Sequence, residues 1–178
     1  MSSLSKKTVD FGEKNSDPRK KEDKITKITI HHMAGDFDPE KCALNHLKHT
    51  KISANYYIGS DGTIVKGVSE DRRSWCSANK DNDYAAITIE VANNSGEPNW
   101  TVSQEAYNSM IDLCVDICIR HNIKLTWTGE SDGTLTTHDM FKATKCPGPY
   151  LKSKMRNIAM EVNRKVEEVR QRQNYMGF

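Results

Sequence analysis

No stretch of this 178-residue chain approaches the roughly 18 consecutive apolar residues that a membrane span needs, so no spanning helix is expected. The first 15 residues, MSSLSKKTVDFGEKN, lack the apolar core of a secretory signal, and export by that route is not expected either. Neither sign of charge dominates. With 26 Lys and Arg against 24 Asp and Glu, the net +2 is too balanced for a nucleic-acid surface. Basic residues do gather in DPRKKEDK and KSKMRN, where they read as solvated faces. Internal repeats are absent. The five cysteines are odd in number and no export signal accompanies them, which argues for free thiols over a disulfide framework. An apolar share of 36% makes a rather polar chain, yet its length suffices for one domain with a real core.

The patterning predicts an α/β fold, with a mixed central β-sheet flanked by helices. Residues 1–24 are polar and without periodicity, and read as an arm lying on the surface or partly disordered. KITKITIHH reads as a strand. Asp38 is placed to cap a helix that opens at Pro39, where a missing N–H costs nothing. ISANYYIGSDGTIVKGV reads as a hairpin turning at Asp61-Gly62. AAITIEVAN is a further strand, with Ile87, Ile89 and Val91 alternating against Thr88 and Glu90. Ser103 can cap a helix through QEAYNSMIDLCVDICIRHN, and a last amphipathic helix is predicted from about Leu151 to Arg170.

Three groups of residues carry candidate chemistry. His31 and His32 end an apolar strand, where loops assemble sites; the competing reading is a hydrogen-bonded, partly buried pair. His138 is followed eight positions later by Cys146, set against Pro147 and Gly148. Imidazole nitrogen and thiolate sulfur are both zinc ligands, and two histidines with one cysteine leave a fourth position open. A lone histidine and a buried cysteine would satisfy the same spacing. Glu90, amid isoleucine and valine, is either a carboxylate tuned by partial burial or the solvent-facing side of an alternating strand. Cys114 and Cys118 share an apolar helix face and read as core. His46 and His49 read as surface histidines, and Cys42 and Cys76 have no ligand-like neighbours in sequence.

Taken together, ITIHHMAG, SANYYIGSDGTI, AITIEVANN and LTTHDMFKATKCPGPYL resemble the zinc-dependent N-acetylmuramoyl-L-alanine amidases, which share the fold of the peptidoglycan recognition proteins. The likeness runs from about Ile25 to the final helix and is strongest to phage and prophage endolysins of Gram-positive, clostridia-like hosts. It implies one Zn2+ per chain on His31, His138 and Cys146. Glu90 is implied as the proton carrier and Thr144 as the oxyanion contact, with Lys145 beside it. Some relatives keep a lysine at the Thr144 position and a tyrosine where this chain has Ala54. Trp75 matches an aromatic of the substrate groove, to which Asn55, Asn93, Asn94 and Lys145 are assigned by position and residue type.

The resemblance implies hydrolysis of the amide between N-acetylmuramic acid and L-alanine. The partners would be the glycan strand and stem peptide of peptidoglycan, with no nucleic acid and no membrane insertion. A non-catalytic recognition module and a cytosolic muropeptide-recycling amidase are the alternatives. Residues 25–170 would form the catalytic domain and 171–178 a tail or the start of a linker to a wall-binding domain. The protein would be made in the host cytoplasm and act at the cell wall after release.

Overall fold

The computed structural model describes residues 1–175. A six-stranded sheet runs in the order β1 (Lys7–Thr8), β5 (Ile64–Lys66), β4 (Tyr56–Ile58), β7 (Ala86–Val91), β3 (Lys27–His32), β8 (Leu135–Thr137). Only β4 and β5 are antiparallel, joined by the expected turn, in which Gly62 takes φ +81°. The other pairs are parallel, so the sheet is mixed as expected. A separate antiparallel pair joins β2 (Ser16–Pro18) to β6 (Arg72–Ser74). Among the described residues there are four α-helices: α1 (Pro39–His49), α2 (Lys80–Ala85), α3 (Gln104–His121) and α4 (Gly148–Tyr175). Among the described residues no helix is long and apolar enough to cross a membrane.

Local chemistry sets the helix ends. Asp38 accepts the Lys41 N–H at 2.9 Å and Ser103 accepts that of Ala106 at 3.1 Å, each satisfying a donor the helix itself leaves free. Asn122 closes α3 in the left-handed region, at φ +53°. The last helix extends beyond Arg170 through Tyr175, so residues 171–175 of the expected tail continue it, while 176–178 lie outside the described residues.

The alternation along β3 and β7 divides the two faces of the sheet by polarity. Ile28, Ile30, Ile87, Ile89 and Val91 pack with α3 and α4 residues such as Met110, Ile117, Leu151 and Met155. Cys114 and Cys118 belong to this core, as expected. The opposite face carries Thr29, Thr88 and Thr136, tied together under α2. Thr29 and Thr136 hydroxyls are 2.9 Å apart, Ser74 and Thr88 hydroxyls 2.7 Å, and Asn82 donates to Thr29 at 2.9 Å. His31 and Glu90 are the next residues on that polar face, paired across the two strands at their carboxyl ends. Ends of parallel strands are where such sheets build sites.

The N-terminal segment departs from the expected surface arm. It supplies β1 and β2, and Val9 and Phe11 are buried beside Tyr57, Val65 and Ala43. Arg19 donates to the carbonyls of Glu70 at 3.0 Å, Asp83 at 2.9 Å and Ala86 at 2.7 Å, binding the segment to α2 and β7. Backbone pairing, two apolar side chains and one guanidinium do the anchoring, none of which produces a hydrophobic period.

Glu70, 6% exposed, joins this segment to α3. It receives Arg120 through two bonds of 2.6 and 2.8 Å, His121 at 2.9 Å and the Tyr56 hydroxyl. Burial opposes ionisation here, but the bonds from His121, Arg120 and Tyr56 outweigh it and hold the carboxyl well below the usual range. A depressed pKa stabilises the fold fully above the unfolded value of about 4.3, and the contribution drains away as pH falls through the folded value. Glu70→Gln is therefore expected to cost about 2 kcal/mol at neutral pH. That lies below the full cost of breaking a buried pair because Arg120 is partly exposed. Thermal melts should show a fall in Tm of about 4–8 °C at pH 7 that narrows below pH 4; a pH-independent difference would refute the assignment.

Candidate metal centre

His31 is the penultimate residue of β3, its ring turned to the polar face, 1% exposed. His138 follows β8 directly and opens a short 3-10 turn, His138–Met140. Cys146 comes from the loop before α4, and its Sγ lies 3.6 Å from His31 Nδ1. The imidazole rings of His31 and His138 are 4.8 Å apart by centroid. One donor atom from each of the three residues falls within 4.8 Å of the others.

The loop geometry that delivers Cys146 is tight. Thr144 Oγ1 accepts the Cys146 N–H at 3.2 Å, and the Gly148 N–H closes on the Lys145 carbonyl at 2.7 Å. Gly148 sits at φ +83°, and a Cβ there would meet His32 Nδ1 and Trp100 Cβ, each at 3.2 Å. Glycine is what lets the loop lie against the strand end. In return the His32 N–H donates to Cys146 Sγ at 3.4 Å.

This set fits a metal ion. His138 Nε2 is buried without a partner, a costly state unless something completes it. Burial, then the neighbouring His138, pushes His31 well below its usual pKa, and burial lowers His138 too, so both are neutral imidazoles. The Cys146 thiol is pushed up by burial and by Glu90, so its thiolate awaits a compensating positive charge. Tetrahedral zinc holds sulfur at about 2.3 Å and nitrogen at about 2.0–2.1 Å, which sets such ligand atoms about 3.5 Å apart. The His31–Cys146 separation of 3.6 Å is of that size.

Glu90 stands beside this set, 7% exposed. It does not face solvent, because β7 is central and covered on both faces. Its Oε1 accepts from the Cys76 thiol at 3.6 Å, while Oε2 is buried without a partner. Burial raises its pKa to about 8. Glu90, His138 and Cys146 all border one cavity of about 320 Å³, whose rim carries Thr144 and Lys145. A basin of about 380 Å³ adjoins it through Ile52, Cys76 and His138, and holds Trp75 with Lys51, Arg73, Lys80 and Lys142. On the other side a basin of about 630 Å³ adjoins through Met33 and His46 and runs along α1 past Phe37 and Lys41. The three basins are thus joined by shared lining residues, with His138 bordering two of them.

Several expected groove residues lie elsewhere or are already engaged. Asn55 is fully buried in the sheet, where its amide accepts the Thr88 N–H at 3.1 Å and donates to the Val68 carbonyl at 3.1 Å. Asn93 is buried too, donating to the Trp100 carbonyl at 2.9 Å and so holding the loop that carries that ring. Asn94 is exposed and accepts from the Thr101 hydroxyl at 2.7 Å, away from the cavity. Lys145 reaches the rim but is paired with Glu97, its ammonium 5.8 Å from the Trp100 ring centre. Trp75 lines the second basin, its indole N–H donating to Asp17 at 2.8 Å.

Sequence reading did not place His46, Cys76 or Trp100 at this cavity, which all three line. His46, expected on the surface, is half-buried with Nδ1 3.0 Å from the Tyr57 hydroxyl. Trp100 packs edge-on against His32 at 4.8 Å and holds φ +41°, a strained value for so bulky a residue.

Comparison with known proteins agrees with the fold. A family model described as N-acetylmuramoyl-L-alanine amidase matches residues 21–149, a span that contains His31, Glu90, His138 and Cys146. The fold is similar to that of PlyL, with TM-score 0.69 at 14% identity over 88% of this chain and 95% of that one. The N-acetylmuramoyl-L-alanine amidase LysC from Clostridium intestinale URNW matches with TM-score 0.60 at 23% identity, covering 85% and 97%. AmpD matches with TM-score 0.65 at 17% identity, covering 89% and 96%. No curated protein matches in sequence. Because the family model matches well over half of the chain, including all four of these residues, the chain belongs to the N-acetylmuramoyl-L-alanine amidase family.

Proposed function

We propose that this chain hydrolyses the amide between the lactyl group of N-acetylmuramic acid and L-alanine, using zinc held by His31, His138 and Cys146. One observation carries the reading: three converging buried ligand atoms stand beside an unpartnered carboxylate oxygen, in the floor of an open groove. When bound, zinc supplies Lewis-acid polarisation of the carbonyl and lowers the pKa of water toward about 7. Glu90 takes a proton from the attacking water, whose oxygen bonds to the carbonyl carbon. The C–N bond then breaks and Glu90 returns the proton to the leaving alanine amine. Thr144 accepts the Cys146 N–H, which leaves its own hydroxyl hydrogen free for the oxyanion; Lys145 is already paired with Glu97.

The biological setting is proposed as lysis of Gram-positive walls by a phage or prophage endolysin, resting on the motif style and supported by the fold likeness to the clostridial LysC. The joined basins suit a polymer carrying both glycan and peptide. A wall-recognition role without catalysis would need neither Glu90 nor Cys146 inside the cavity. Purified Gram-positive walls incubated with the zinc-loaded protein should release new N-terminal alanine amines, and a chelator should abolish the release. Cleavage of soluble muropeptides with walls untouched would favour a recycling amidase. Intact walls and intact muropeptides would sink the proposal.

A further inference from the structure

Cys76 has no part in the reaction as described, yet its thiol makes the sole hydrogen bond to the Glu90 side chain among the described residues. It lies 6% exposed in the cavity wall, in the segment between β6 and α2. That segment is clamped from below. Asp83 is buried in α2 and receives the Cys76 N–H at 3.3 Å, the Ser77 N–H at 3.3 Å and the Ser77 hydroxyl at 2.5 Å. Asn82 adds a bond to the Ser77 hydroxyl at 3.1 Å and another to Thr29 at 2.9 Å, connecting the clamp to β3. The backbone at Cys76 is thereby held in place relative to the strands that carry His31 and Glu90.

We infer that Cys76 is the positioning residue for Glu90. Its S–H donates to Oε1, fixing the carboxylate plane and leaving Oε2 as the oxygen that accepts a proton. A long, unbranched glutamate side chain in a cavity would otherwise sample several rotamers, and proton transfer needs the accepting atom held within hydrogen-bond reach. The inference rests on the proton-transfer role of Glu90 given above. A rival role for the same atoms exists, because His31, Cys76 and Glu90 also bring donor atoms within 4.8 Å of one another and could ligate a metal.

Two variants and one spectrum separate these. In Cys76→Ala, kcat on wall fragments should fall about tenfold to a hundredfold, the scale of losing an outer-shell partner. KM should stay within about twofold and zinc should remain at one per chain. Cys76→Ser restores a donor in little more volume than alanine and should recover most of kcat. The infrared S–H stretch of Cys76, isolated by subtracting the Cys76→Ser spectrum, should lie at the frequency of a hydrogen-bonded thiol and shift in Glu90→Ala. The inference is overturned by undiminished kcat in Cys76→Ala, by serine behaving as alanine does, by loss of zinc, or by a free-thiol stretch. If the wild-type protein cuts neither walls nor muropeptides, the amidase reading fails instead, and the spectrum still decides whether the bond exists.

Discussion

Replacing Cys146 with alanine is expected to abolish wall hydrolysis and metal binding together. The thiol is one of three converging ligand atoms, and among the described residues no other thiol or carboxylate completes the set with both His31 and His138. Losing several kcal/mol of transition-state charge stabilisation corresponds to about a thousandfold in rate. Binding should be visible without turnover. Zinc at about a thousand times its Kd stabilises a native state by about 4 kcal/mol, which for a chain of this size raises Tm by about 8–16 °C. Wild-type protein should show that rise and Cys146→Ala should not. An unchanged zinc-dependent melt in the variant would remove Cys146 from the ligand set.

Glu90→Gln should have the second largest effect and the opposite metal signature. The amide is nearly isosteric and keeps an acceptor toward Cys76, but it cannot carry a proton. We expect kcat to fall by about 10²–10⁴ with zinc retained and the zinc-dependent rise in Tm intact. The acidic limb of the pH–rate profile should vanish with it, since that limb reports protonation of the base. A variant with full kcat would show that another group moves the proton.

The fold was legible where side chains repeat. The ITI and ITIEV alternation marked β3 and β7, Asp61-Gly62 marked the hairpin, and Asp38 and Ser103 marked helix starts. The N-terminal strands were not, since β1 and β2 are held by main-chain pairing, two apolar anchors and Arg19. The metal residues lie far apart in sequence, and spacing alone left them open; it was the resemblance that joined His31 to His138 and Cys146. The asparagines show the converse limit. Residue type and family position drew Asn55 into the groove, but a side-chain amide serves equally well beside a sheet, where this one bridges β7 and the segment after β5. His46 and Cys76 were weighed but not placed at the site, because nothing in a local pattern tells which covered face borders a cavity.

The place of β3, between β7 and β8, also governs when the site comes into being. His31 and Cys146 are 115 positions apart, so their meeting is among the most distant closures in the molecule. Chains emerge from the ribosome N-terminus first, and contacts between remote segments form late because closing a long loop costs entropy before it is rewarded. Most of the sheet and α3 are translated before Cys146 exists to complete the ligand set. On the proposed reading, metal capture would therefore be a finishing step on a largely assembled scaffold rather than a nucleus for folding, and the chain would be an inert precursor until the Cys146 loop has docked.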